Sequence, residues 1–494
     1  MSAGGPRRIV CAEARAAAST RDRRTRESEI PRRVLRASHL VFLRQMSTPG
    51  SVKIWLARWA LRCEQPREFT PRDIAAWLLK WLLPDERKLP TFIAALFGRL
   101  FLSHLDAREI TDGNVNFSFC VTGRFGHQIF VKQAHGFLKW QPQMKLERER
   151  MAREIRYYSD AARALGGDRA AEYLPRIVHF DAESTVVVME YLSGFRVLFD
   201  VIFEEGSVPR AAAVHLGTYL GHVHLASLVQ SSPTAVADSA VAYWNPALRA
   251  IQLEHVFSIC FTHSTRGRTL AEDPAVMREV SLLRAKYLGY TFDPHDRLVL
   301  CHGDLHPGSV MISEDGSGRV KVIDPEFCAY APPGLDVGSL FSGFVLAHLF
   351  RCQVAPAASR PEGTLVALNE AIETLWGAYV QVLRTREAVN TRELERIETD
   401  AVGFCLMEVC RTALGFAGAR DPSRRIASSA ALEAYQEVAV GLVTHCLTKR
   451  NAPAAAGGGV GCLFAALRDT TQLTRALTPG SGEGDHPDRL KKTA

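Results

Sequence analysis

The 494-residue chain has no apolar run approaching the roughly 18 residues of a membrane span, so no membrane partner is expected. Its eleven cysteines include no Cys-x-x-Cys pair, which argues against a zinc ribbon or a disulfide framework. Reduced, buried thiols in a cytoplasmic protein are expected instead. Charge of one sign is also scarce: 60 Lys and Arg against 53 Asp and Glu leave +7, much of it in the first 45 residues. The body is close to neutral, and nucleic acid is not an expected partner. What is present, 47% hydrophobic and 23% charged residues, is ordinary for a globular protein.

The two ends read differently from the middle. Residues 1–50 are rich in Arg, Ala and Ser without apolar periodicity. Glu13, Asp22, Glu27 and Glu29 break the acid-poor pattern of an organellar transit peptide, so a disordered basic arm is expected. Residues 51–104 carry helix signals: Ser51 ahead of Trp55 and Trp59, then Thr70-Pro71 opening a stripe of Ile74, Trp77, Leu78 and Trp81 that Pro84 stops. Extra N-terminal helices packed on the following domain are expected. Ala454-Ala-Ala-Gly-Gly-Gly459 and Pro479-Gly-Ser-Gly-Glu-Gly484 mark 451–494 as a flexible tail.

The chemistry concentrates in two loops. Short β-branched runs at 298–301, 310–312 and 320–323, with Asp315-Gly316-Ser317-Gly318 between the last two, predict strands joined by a polar loop and a hairpin turn. Asp304 and Ser309 fall in the first loop, and Asp324 and Glu326 follow the last strand. Strand ends can aim such carboxylates into one cleft. Phosphoryl transfer from a nucleotide needs one carboxylate to accept the proton of the attacking hydroxyl and others to hold Mg²⁺ against the phosphates. Asp304 suits the base; Asp324, Glu326 and Ser309 suit the metal. His302 and His306 are poor metal ligands, because Gly303 and Pro307 spoil a helical pair and no Cys/His set accompanies them.

His302-Gly-Asp-Leu-His-Pro-Gly-Ser309, Ile323-Asp-Pro-Glu-Phe327 and Tyr330-Ala-Pro-Pro-Gly-Leu-Asp-Val-Gly338 together resemble the S-methyl-5-thioribose kinases, a branch of the aminoglycoside-phosphotransferase-like small-molecule kinases. The resemblance covers roughly 105–420 and departs at Pro307, where the family usually has Thr. It implies an α+β, protein-kinase-like two-lobed fold, with a small β-rich N-lobe over 105–192 and a larger helical C-lobe over 193–450. It also implies ATP and Mg²⁺, a small-molecule sugar acceptor, a homodimer and a place in methionine salvage.

The remaining site residues follow from that frame. Asp112-Gly-Asn-Val-Asn116 is similar to the family's phosphate-side loop, which makes Asp112, Gly113, Asn114 and Asn116 nucleotide-binding candidates. The strand His127-Gln-Ile-Phe-Val-Lys132 places Lys132 as the phosphate-gripping lysine. A charged helix expected over 145–165 supplies its partner, Glu154, with Glu149 as the alternate. The crossover at Glu190, Tyr191 and Leu192 is where a hinge offers backbone groups to adenine. Asp336 is expected to brace the catalytic loop and is left out of the chemistry. The family carries paired arginines that serve the substrate and the moving phosphate; here they read Arg411-Thr412, so Arg411 is expected to act alone. An amino-sugar, choline or homoserine kinase and a non-catalytic nucleotide-binding scaffold are the competing readings. The Asp-Pro-Glu triplet favours a thioribose kinase over the first. The joint presence of Lys132, Asp304, Ser309, Asp324 and Glu326 argues against the second.

Overall fold

The computed structural model describes residues 105–477, apart from 112, 114, 124–125, 230–232, 294, 355–361, 386–388 and 419–420, together with Ile74. The chain divides into a unit of residues 1–49 and a unit of 50–494, and all that follows concerns the second. The expected basic arm and all of the expected N-terminal helical stripe but Ile74 lie outside the described residues. Ile74 itself is helical and fully buried.

A five-stranded antiparallel sheet comes first. Its members are β1 (Leu105–Ile110), β2 (Phe117–Gly123), β3 (Gln128–Gln133), β6 (Ile177–Asp181) and β7 (Val186–Glu190), in the order β1-β2-β3-β7-β6. A separate small hairpin, β4 (Phe137–Leu138) with β5 (Gln141–Lys145), follows the central strand β3. The charged helix expected from 145 therefore begins later, as α1 (Arg150–Leu165). Its buried Met151, Glu154, Ile155, Tyr158, Ala161 and Leu165 recur at helical spacing and form one face, so the polar residues at 141–145 were free to pair as a strand.

Helices dominate the rest, as the sequence leads one to expect of an α+β two-lobed chain. They include α2 (Arg210–Leu228), α3 (Pro246–Glu254), α4 (Gly334–Val354), α5 (Glu362–Leu383), α6 (Thr391–Leu414), α7 (Ser429–Lys449) and α8 (Val460–Leu477). Asn245 caps α3 by accepting from Leu248 N at 3.3 Å, and Asn390 caps α6 in a reciprocal box with Glu393. Set among the helices are strands β8 (Phe195–Val197), β9 (Val299–Cys301), β10 (Val310–Ser313), β11 (Val320–Val322) and β12 (Ala329–Ala331). They pair as β11-β10-β8 and as β12-β9. Those two small sheets hold the acidic loops at their ends.

Two expectations from the sequence need correction or refinement. Residues 460–477 form a helix rather than part of a flexible tail: Val460, Leu463 and Leu467 are buried against the bundle, a stripe that the glycine-rich lead-in disguised. The segment Gly334–Gln353 is long and apolar enough to cross a membrane, yet 89% of it is buried inside the protein, as befits a core helix. All nine described cysteines are buried.

Candidate active site

The first acidic loop is held by its backbone. Gly303 leaves β9 with φ 86°, and a Cβ there would lie 2.1 Å from the carbonyl oxygen of Phe327, so only glycine fits. Asp336 at the start of α4 is fully buried and accepts from His302 N at 2.6 Å and Gly303 N at 2.9 Å. This is the bracing role expected of it. Gln252 on α3 donates to Gly303 O at 2.6 Å. His302 Nδ1 accepts from Asp304 N at 3.4 Å, which puts the ring proton on Nε2, 2.8 Å from Ile323 O. One histidine thus ties the first acidic loop to the second, a structural task rather than metal ligation.

Asp304 is presented at the end of this braced turn. Ser309 Oγ donates to Asp304 O at 3.0 Å, and His306 Nε2 stands 3.8 Å from Asp304 Oδ2. From the far end of α6, Arg411 Nη1 comes to 4.0 Å from Asp304 Oδ1. Glu408, one turn earlier on α6, holds that guanidinium at 3.0 Å. Thr412 beside it is buried.

Pro307, the departure from the family pattern, is built into this loop. It opens a short 3-10 turn, Pro307–Ser309, where a missing N–H costs nothing, and His306 Nδ1 caps the turn by accepting from Gly308 N at 2.9 Å. Its ring lies against the backbone of α4 at Gly343, where a Cβ would sit 2.1 Å from Pro307 Cγ. Gly343→Ala is therefore expected to lower stability by about 1–3 kcal/mol through overpacking. A denaturant titration showing a wild-type midpoint would contradict that packing.

The second acidic loop carries the charge. Asp324 follows β11 at φ 65°, a left-handed conformation that a non-glycine residue rarely adopts, and its N–H donates to Tyr158 Oη at 3.1 Å. Lys132 on β3 is buried, 2.9 Å from both Glu154 oxygens, and also pairs with Asp324. Burial pulls the Lys132 ammonium down more than any other single influence. Asp324, Glu154 and Glu326 together outweigh it and hold the group well above its ordinary value. Burial, reinforced by Asp324, pushes the Glu326 carboxyl well above its ordinary range. Glu326 Oε2 accepts from Asn116 Nδ2 at 2.5 Å.

Oxygens of Glu154, Asp324 and Glu326 lie within 4.8 Å of one another. Three carboxylates converge on one lysine, and the surplus of hard oxygen donors suits a divalent cation. Asp324 and Glu326 are the better-placed members: Glu154 turns both oxygens to Lys132, whereas Asp324 meets that lysine through Oδ1 and Glu326 meets Asn116 through Oε2. Asp324→Ala is expected to weaken metal-dependent nucleotide binding on the order of tenfold or more, the scale of a lost charge-assisted contact. Unchanged affinity in a calorimetric titration would move the site off Asp324.

The structure thus gathers the residues singled out from the sequence into two groups. Asn116, Lys132, Glu154, Asp324 and Glu326 form one; Asp304, Ser309 and Arg411 form the other. The Ser309 hydroxyl is bonded inside its own loop rather than to the acid cluster. Glu149, the alternate partner for Lys132, is exposed at the N-cap of α1. At the crossover, Glu190 pairs with Lys321 at 3.2 Å and Leu192 O accepts from Phe195 N at 3.3 Å. Gly113 lies in the β1–β2 loop, while Asp112 and Asn114 lie outside the described residues. Sequence reasoning missed Arg150, Gln252 and Glu408. Spacing carried a faint signal for two of them: Arg150 is four residues from Glu154 and Glu408 three from Arg411, each on one helical face.

Residues 106–360 match the model of a phosphotransferase enzyme family. A methylthioribose kinase from Geobacillus thermodenitrificans is 30% identical over 346 residues, covering 64% of this chain and 80% of the relative. One from Klebsiella pneumoniae is 28% identical over 346 residues, covering 64% and 82%. Among solved structures, a choline/ethanolamine kinase family protein from Mesorhizobium loti aligns with 80% of this chain and 99% of its own length, at 14% identity and a TM-score of 0.39.

Proposed function

Because the chain belongs to the phosphotransferase enzyme family and, within it, to the methylthioribose kinases, we propose that it transfers the γ-phosphoryl group of ATP to the 1-hydroxyl of S-methyl-5-thioribose. The reaction serves methionine salvage in the cytoplasm. The observation that carries this reading is the approach of Arg411 to Asp304, 4.0 Å, in a chain that also gathers Glu154, Asp324 and Glu326 around Lys132.

Each group has a stated task. Lys132, kept charged by its acidic neighbours and oriented by Glu154, grips the nucleotide phosphates. Asp324 and Glu326 would hold Mg²⁺, which would supply neutralisation of phosphate charge. Asp304 accepts the proton of the acceptor hydroxyl as the new P–O bond forms, its position set by Asp336 and Gln252 through the loop backbone. Arg411 offsets the charge that builds on the moving phosphoryl group and binds an acceptor hydroxyl through its planar fork. The test is a coupled ADP-release assay with purified protein across methylthioribose, choline, glucosamine and homoserine. Methylthioribose should give the highest kcat/KM; preference for another alcohol would leave the kinase and replace the acceptor.

A further inference from the structure

Arg150 takes no part in the chemistry above, yet it stands between two segments that meet at the nucleotide site. Its side chain is 1% exposed. Nη1 donates to the carbonyls of His135 and Glu147, both at 2.7 Å, and Nη2 donates to Asn116 Oδ1 at 2.7 Å. Asn116, at the end of the β1–β2 loop, passes the connection on to Glu326. The Arg150 Nε–H is buried without a hydrogen-bond partner. A buried arginine with a donor left over is expensive to keep for packing alone. Beside this bridge, Val115 packs with Leu138, Leu146 and Leu248, and Phe327 lies against the same cluster. The loop end is therefore fastened to the second acidic loop by polar and apolar contacts at once.

Resting on the reading of Asp324 and Glu326 as cation ligands, we infer that Arg150 is a positioning residue that fastens the β1–β2 loop to the metal loop through Asn116 and sets the charge of the acid cluster. Three carboxylates face Lys132 and Arg150. Both cations offset negative charge in the cluster, and Arg150 reaches it through Asn116. Removing Arg150 leaves the carboxylates less offset. Cation affinity should then rise while nucleotide affinity falls, opposite signs that a packing defect does not produce.

The experiment compares wild type with Arg150→Met, Arg150→Lys and Asn116→Ala in the full chain. It measures Mn²⁺ binding by electron paramagnetic resonance, ADP binding without metal, and amide exchange over residues 115–119. Arg150→Met should bind Mn²⁺ more tightly and ADP more weakly, each on the order of tenfold, the scale of one hydrogen bond to a charged group. Its loop amides should exchange faster. Arg150→Lys should restore Mn²⁺ affinity but not protection, because it returns the charge without the fork. Asn116→Ala should lose protection as well, because it removes the link between Arg150 and Glu326. Arg150→Met weakening both ligands, or changing neither, overturns the inference. Should that variant not fold, wild-type protection in Asn116→Ala overturns it equally. A wild type that binds neither Mn²⁺ nor ADP would instead bring down the metal-nucleotide reading, and this inference with it.

Discussion

Asp304→Asn is expected to cut turnover by about 10²–10⁴-fold while leaving nucleotide binding close to wild type. The substitution keeps the shape of the side chain and its place in the braced loop but removes the carboxylate that takes the proton. The brace itself is independent of the Asp304 side chain, since Asp336 and Gln252 act on the backbone of residues 302 and 303. Folding should therefore be unaffected, and thermal midpoints of the two proteins should coincide. The phosphate-side group, Lys132 with Glu154 and Asp324, is likewise untouched. If Asp304→Asn kept most of the wild-type rate, the proton would have to leave by another route and the assignment would fall.

Arg411→Ala is the second large effect, a loss of about 10²–10³-fold in kcat/KM, as for removal of a donor aimed at developing charge. Two features make Arg411 more than a helix-surface cation. It is mostly buried, and it reaches toward Asp304 although Glu408 already satisfies part of its fork. Thr412 adds no charge at the neighbouring position, so no adjacent arginine can take over. The loss should fall on both kcat and acceptor KM, because the same guanidinium serves the bound hydroxyl and the moving phosphate. Binding of nucleotide alone should not change. A variant with wild-type kcat/KM would make the approach to Asp304 incidental.

How much of this was legible beforehand depends on distance along the chain. The catalytic strands and loops could be read because their signals are local: β-branched runs, a Gly-rich turn and acids at fixed offsets within residues 298–327. Lys132 and Glu154 could be paired because a strand followed by a helix brings them together over a short separation. The bridge from Asn116 to Glu326 spans 210 residues, and no local pattern encodes it. Arg150 looked like one more charge on a solvated helix face and proved buried, since burial of an arginine depends on which carbonyls the fold delivers to its fork. Residues 145–149 were read as the start of the helix because charge pattern alone does not distinguish a hairpin end and turn from a helix start. The helix at 460–477 was lost behind the glycines that precede it.

The central claim is that the two groups of residues hold ATP and the 1-hydroxyl of methylthioribose for direct transfer. Phosphorus NMR of the product made from methylthioribose and Mg-ATP tests it most directly. A new phosphomonoester signal coupled to the anomeric proton, appearing in step with ADP, is the expected result. ADP released as inorganic phosphate forms, or phosphate attached at a different sugar hydroxyl, would contradict it.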